Sequence, residues 1–234
     1  DSRFLYIILP GNQEAAMKQG DQMPNESYRM GDKIKVLVSQ VQNEQKGPQV
    51  FVSRTHPELV KRLFEAEVPE VFDGTVEIKS IAREAGDRSK IAVYSHNSNL
   101  DAVGTMVGQR GARVQAVVTE LSGENMDIVE WTEDPAQFIK NALNPAEVVD
   151  VIFDPTNDRA VTVLVPDYQL SLAIGKRGQN ARLAARLTGF KIDIKPESER
   201  DAVVADMANK ENEAANAPVI EADVADDFEA SEEA

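Results

Sequence analysis

Two short stretches of the sequence carry residue types suited to holding a phosphate backbone. Val107-Gly108-Gln109-Arg110-Gly111 and Ile174-Gly175-Lys176-Arg177-Gly178 share the pattern apolar–Gly–x–x–Gly, each set between two helical patterns. The first glycine lets one helix end tightly, and the second lets the chain restart without Cβ crowding. A backbone without Cβ atoms can approach a phosphodiester closely. The helix that follows then offers free N–H groups and the positive end of its dipole. The x positions point outward. Residues 107–113 hold two bases, Arg110 and Arg113, and residues 174–186 hold four, Lys176, Arg177, Arg182 and Arg186; neither stretch holds an acid. Gln179, Asn180 and Arg182 follow the second loop and are placed to add polar contacts.

A single Gly-x-x-Gly reads as an ordinary turn between helices with solvated charges, because the pattern is short. Two basic copies in equivalent places favour a ligand instead. A nucleotide-hydrolase loop is excluded, since Gly175-Lys176 is followed by Arg177 rather than Ser or Thr. A dinucleotide fingerprint is excluded too, as no Gly-x-Gly-x-x-Gly follows a strand. The chain has no cysteine and two histidines, His56 and His96, which rules out Cys-based zinc, iron–sulfur and nucleophile chemistry. His56, before Pro57, reads as a structural or capping residue. Trp131 reads as packing between modules, and Phe4 and Tyr6 as either barrel packing or a stacking surface. No pair of carboxylates stands in a context that singles out acid–base work. Neither an enzyme nor a cofactor is expected.

The loops sit in a repeated order of elements. Helix from Thr55 to Glu67, with Thr55 and Glu58 as a capping box, is followed by strands at Thr75–Ile81 and Lys90–Tyr94, the first loop and its helix, and a strand at Met126–Trp131. The second round runs from a helix capped by Asp134 through strands at Glu147–Phe153 and Arg159–Val165, the second loop and helix, and a strand at Lys191–Lys195. Leu121-Ser122-Gly123 matches Leu187-Thr188-Gly189, and Asp127-Ile128 matches Asp193-Ile194. Tandem modules are the strongest organisational signal in the chain. Ahead of them, Phe4–Leu9, Lys33–Val41 and Pro48–Ser53 read as strands, with Lys46-Gly47-Pro48 as a hairpin turn, so residues 1–54 suggest a small barrel. Because the sequence opens directly on an apolar strand, it reads as a fragment.

Of 234 residues, 40 are acidic and 25 are Lys or Arg. Residues 197–234 alone hold 13 acids and two bases, which leaves the body near balance. An acidic total argues against nucleic-acid binding only where the charge lies at the contact. Residues 199–234 are poor in large apolar groups and read as a disordered acidic tail, with a short helix near Asp201–Lys210. The longest apolar run, Phe4–Leu9, is too short to span a membrane, and with no signal pattern the chain reads as soluble and cytoplasmic.

The repeated unit resembles the bacterial-type KH domain, whose Gly-x-x-Gly loop clamps the backbone of about four nucleotides of single-stranded RNA. The β-rich start resembles an S1-type barrel, and the order barrel, KH, KH resembles the NusA family of bacterial transcription factors. The resemblance is carried by Ser53-Arg54-Thr55-His56-Pro57, by Ala82 to Lys90, and most specifically by Pro166 to Arg186. It implies an OB-type (S1-like) barrel truncated at its N-terminus (1–54), two α+β type II KH domains (55–133 and 134–198) and the acidic tail (199–234). It implies RNA contacts at Val107, Gly108, Gln109, Arg110, Gly111 and Arg113, and at Ile174, Gly175, Lys176, Arg177, Gly178, Gln179, Asn180 and Arg182. The partners it implies are nascent single-stranded RNA, RNA polymerase and other antitermination factors, in pausing, termination and antitermination. Other KH/S1-type proteins, ribosome-associated or acting in RNA decay, and a protein-interaction scaffold with non-binding KH units, are the alternatives.

Overall fold

The computed structural model describes residues 4–43 and 50–215. The first unit is an open four-stranded sheet of β1 (Phe4–Leu9), β2 (Gln13–Lys18), β3 (Leu37–Val41) and β4 (Val50–Ser53), ordered β1-β2-β4-β3. Ala15, Met17 and Val52 are buried at its centre, with Leu5, Ile7, Tyr28 and Ile34 packed around them. The strand β2 is absent from the sequence reading. Gln-Glu-Ala-Ala-Met-Lys carries no β-branched residue, and becomes a strand because Gly11 and Asn12, both at positive φ, fold it back onto β1. The strand expected from Lys33 begins only at Leu37. The Lys46-Gly47-Pro48 turn lies outside the described residues.

Both repeated units take the expected order. The first contains α1 (Pro57–Glu67), the single turn α2 (Pro69–Phe72), β5 (Val76–Glu84), β6 (Arg88–Ser95), α3 (Ala102–Val107), α4 (Ala112–Glu120) and β7 (Asn125–Glu130). The second contains α5 (Pro135–Ala142), β8 (Asp150–Asp154), β9 (Asn157–Val165), α6 (Leu170–Ile174), α7 (Gln179–Thr188) and β10 (Lys191–Pro196). In each sheet the first two strands are antiparallel and the third pairs parallel to the second. The α1 cap differs from the expected Thr55/Glu58 box. His56 is the N-cap and its Nδ1 accepts from Glu58 N–H at 3.1 Å, while the Thr55 hydroxyl is drawn away to the Gly20 carbonyl. Asp134 caps α5 as expected, accepting from Ala136 N–H.

The units are joined by more than their short linkers. Arg54, buried at the start of α1, donates to both carboxylate oxygens of Glu26 and to the carbonyls of Lys35 and Glu120, tying the first sheet unit to α4. Beside it, Arg83 and Glu124 form a fully buried two-pronged pair at 2.9 Å on each prong. Ser89 and the Gly86 N–H fill the remaining acceptor sites of Glu124. Between the repeated units, Ala82, Ala92 and Val129 on the outer sheet face of the first unit belong to the same apolar cluster as Phe138, Ile139 and Leu187 of the second. Trp131 meets Tyr94 and Phe138 edge-on at 5.5 and 6.4 Å, the module packing its position suggested.

The acidic stretch, expected to be disordered from residue 199, starts as a helix, α8 (Arg200–Ala215), longer than the short helix expected near 201–210, and the rest of that expectation falls on residues 216–234, outside the described residues. Arg200 pairs with Asp150 at 2.7 Å, Lys210 with Asp154 at 3.0 Å, and Val203 is buried. Ion pairs to the β8 ends therefore supplement a thin apolar contact.

Candidate nucleic-acid interface

The two loops have nearly the same backbone. Gly108 lies at φ 74°, ψ 176° and Gly175 at φ 77°, ψ 171°. Arg110 and Arg177 both take left-handed angles (φ 53°, ψ 27° and φ 54°, ψ 28°), and Gly111 and Gly178 follow in the same region. Each loop is closed by one hydrogen bond of 3.1 Å, Gly111 N–H to Gly108 and Gly178 N–H to Gly175. The first glycine of each pair occupies a region essentially reserved for glycine. At Gly175 a Cβ would also stand 2.8 Å from the Asn180 backbone nitrogen. Sequence similarity of five residues thus reflects identical conformational demands.

Beyond each loop, α4 and α7 start at a glycine N-cap with no side-chain capping bond. The N–H of the first residue of each helix, Ala112 and Gln179, is taken by the loop carbonyls of Gln109 and Lys176, and no side chain caps the N–H groups that follow. Gln109, Arg110, Lys176 and Arg177 are exposed, and their side chains make no hydrogen bond or ion pair among the described residues. Val107 is half-buried and Ile174 exposed, each at the mouth of its loop.

The other residues expected at the interface are engaged within the protein. Arg113 donates to the Thr105 carbonyl at 2.8 Å and to Glu70 at 3.0 Å, clamping α3, α4 and α2 together. The Asn180 side chain is buried and donates to the carbonyls of Leu143 and Ala173, so it fixes the start of α7 from inside. Gln179 donates to Glu84 and Asp87, both at 2.8 Å and both on the first unit. Arg182 links Glu84, at 2.6 Å, to the carbonyl of Arg177 inside the second loop, at 3.1 Å. The Arg182 hydrogen bond holds the Glu84 carboxyl below its ordinary 4.5, against a smaller opposing effect of burial. These four side chains position the loops, and the second loop is braced against the first unit. The sequence showed that they were near the loops; it gave no sign of Glu70, Glu84 or Asp87 as their partners.

Residues 54–131 match the NusA-like first KH domain and residues 135–202 match the NusA-like second KH domain. The protein named "Transcription termination/antitermination protein NusA" of Bacillus subtilis (strain 168) is 60% identical over 199 residues, covering 85% of this chain and 53% of that one. The chain belongs to the NusA family. Proteins of the same name in Halalkalibacterium halodurans and Thermus thermophilus are 60% identical over 199 residues and 44% identical over 216. They are covered for 52% and 56% of their lengths, so this NusA-family chain spans about half the length of the curated relatives it matches. Among the described residues, no helix is long and apolar enough to cross a membrane.

Proposed function

We propose that this NusA-family chain grips single-stranded nascent RNA across its two KH units, as the RNA-holding part of a transcription elongation factor acting in pausing, termination and antitermination. The observation that carries the reading is the duplicated loop: one backbone geometry twice, with exposed unpaired cations and an uncapped helix start each time. Phosphates lie along Gly108–Gly111 and Gly175–Gly178, where first-turn N–H groups and Arg110, Lys176 and Arg177 supply charge-assisted bonds. Bases turn away from the loops, past Val107 and Ile174. Arg113, Gln179, Asn180 and Arg182 hold the loops in shape. The apolar cluster shared by the two units supports a fixed spacing between the grips, and so one continuous RNA path. RNA polymerase and other antitermination factors are the partners, in the cytoplasm, and the role is binding rather than catalysis.

The test is fluorescence anisotropy of a labelled single-stranded RNA of about 12 nucleotides, room for two four-nucleotide clamps and the span between. Arg110→Asp and the double change Lys176→Asp/Arg177→Asp each weaken binding while circular dichroism stays native. Silence of both variants, or no binding by the unaltered chain at low salt, would leave the KH units as protein-interaction scaffolds.

A further inference from the structure

The two loops are alike, but the grooves beside them are not. In the first unit, Leu100, Asp101, Gly104, Thr105, Gly108 and Ala112 line a cleft of about 550 Å³ that runs along α3 and α4 into the loop. Asp101 sits at the N-cap position of α3, yet its side chain makes no capping bond. Its carboxylate has no hydrogen bond or ion pair among the described residues. The side chain lies over Gly104, so close that a Cβ there would be 2.4 Å from Oδ2. Asp101 is exposed, and its carboxylate rests against the backbone of the exposed Gly104 on the open side of the groove. The groove wall under it is held fixed, because Arg113 ties the Thr105 carbonyl to Glu70 and the Thr105 hydroxyl donates to the Asp101 carbonyl at 2.7 Å. The repeat places Tyr168, Ser171 and Leu172 of the second unit where the first has Asp101, Gly104 and Thr105. Tyr168 is 80% exposed and Leu172 47%.

An unpaired carboxylate in a groove meant for a polyanion repels phosphate, so it has to meet something else. RNA offers a carboxylate two kinds of donor, the ribose 2′-hydroxyl and the base N–H edges, and only the base edges differ from one nucleotide to the next. We infer that Asp101 is a specificity-determining residue of the first KH groove, accepting a hydrogen bond from the exocyclic amine of adenine, cytosine or guanine and rejecting uracil. Uracil offers one N–H flanked by two carbonyls, and both carbonyls would face the carboxylate. Meanwhile the backbone of the same nucleotides stays on Gly108–Gly111 beside Arg110, at the other end of the cleft. The second groove, with a phenol ring and a leucine in the matching places, lacks this filter and stacks a base whatever its edge. The inference rests on the RNA-holding role proposed above.

The experiment is a uridine scan: one uridine is moved through each position of an otherwise adenosine RNA of about 12 nucleotides, and affinity is read for the unaltered chain, Asp101→Asn and Asp101→Ala. The unaltered chain loses about tenfold with uridine at one position, the scale of one good base-edge pair. Asp101→Asn, whose amide both donates and accepts, removes the loss at that position and leaves the rest of the profile unchanged. Asp101→Ala, checked for native circular dichroism, removes it as well. A uniform gain in affinity at every position for both variants would overturn the inference, because Asp101 would then only repel phosphates. A flat profile for the unaltered chain would overturn it too. No binding of any RNA in the set would instead count against the RNA-holding role itself.

Discussion

Gly175 and Gly178 stand three residues apart in one loop, but the structure asks different things of them. Gly175 combines φ 77°, ψ 171° with a close approach: an added Cβ would lie 2.8 Å from the Asn180 backbone nitrogen and 2.9 Å from its Cβ. That backbone cannot retreat, since the buried Asn180 amide is bonded to Leu143 and Ala173. Occupying a glycine-only region costs about 1–3 kcal/mol. Displacing a fixed helix start adds to it, for an expected total of roughly 3 kcal/mol or more. Gly178 is merely left-handed, and a Cβ there meets nothing within 4 Å. Its cost is about 1 kcal/mol. The same open space is where a phosphodiester would lie, so the methyl group of Gly178→Ala removes a close approach. Loss of one charge-assisted hydrogen bond is worth about 1.5 kcal/mol, or roughly tenfold in affinity. Urea unfolding followed by circular dichroism gives the first quantity, and RNA anisotropy the second. Gly175→Ala should be the unstable variant, whereas Gly178→Ala should be the stable one that binds poorly. Equal destabilisation by the two, or full RNA affinity in Gly178→Ala, would refute the reasoning.

Other perturbations follow from the same contacts. Gly108→Ala destabilises by an amount similar to Gly175→Ala in urea unfolding, because its Cβ would stand 2.7 Å from Cγ and 3.0 Å from Cβ of Arg113, a side chain held in place by Thr105 and Glu70; a much smaller loss would show that the Arg113 clamp gives way. Glu124→Ala strands the buried Arg83 guanidinium and costs about 3–5 kcal/mol, seen as a lower urea midpoint; a midpoint unchanged from the parent would mean that Arg83 finds another acceptor. Burial, helped by the Glu26 carboxylate, pushes the Tyr28 phenol up from 10.0 to about 12. A raised acid favours the protonated folded form, so its contribution is complete below pH 10 and is lost as pH climbs from 10 to 12. The parent should lose stability in that window, and Tyr28→Phe should lose less there, measured by alkaline unfolding.

Much of the architecture was legible because its signals are local. Pro57 and Pro135 at helix starts, Gly189 after α7, and apolar spacing such as Leu183, Ala184 and Leu187 each report a backbone state directly. The loops were legible for a stronger reason: Gly108 and Gly175 occupy a backbone region that leaves no other residue type at comparable cost. By contrast, β2 was hidden, since Ala15, Ala16 and Met17 become a strand only through pairing with β1 and burial against β4. The division of labour among polar residues was hidden as well. Arg113 and Arg110 look equivalent in sequence, and only the position of Glu70, 43 residues earlier, takes one of them out of reach. Asp101 was invisible for the opposite reason, because what distinguishes it is the absence of a partner.

That division of labour has a measurable consequence. The loop regions carry six bases in sequence, Arg110, Arg113, Lys176, Arg177, Arg182 and Arg186. The structure pairs Arg113 with Glu70 at 3.0 Å, and Arg182 and Arg186 with Glu84 at 2.6 and 3.8 Å. Three cations are left to meet phosphate. Each phosphate contact on a single strand contributes about 0.7 to the fall of log affinity with log salt. Six contacts would give a slope of roughly −4, and three give roughly −2. The expected slope for the unaltered chain is therefore near −2, and Lys176→Asp/Arg177→Asp should flatten most of it. Exposed pairs are weak, about 0–1 kcal/mol, so RNA has the means to compete for Arg182. A slope near −4 would show that it does: the brace between Glu84 and the second loop would then open on binding, and Arg182 would pass from positioning the loop to holding the chain of phosphates.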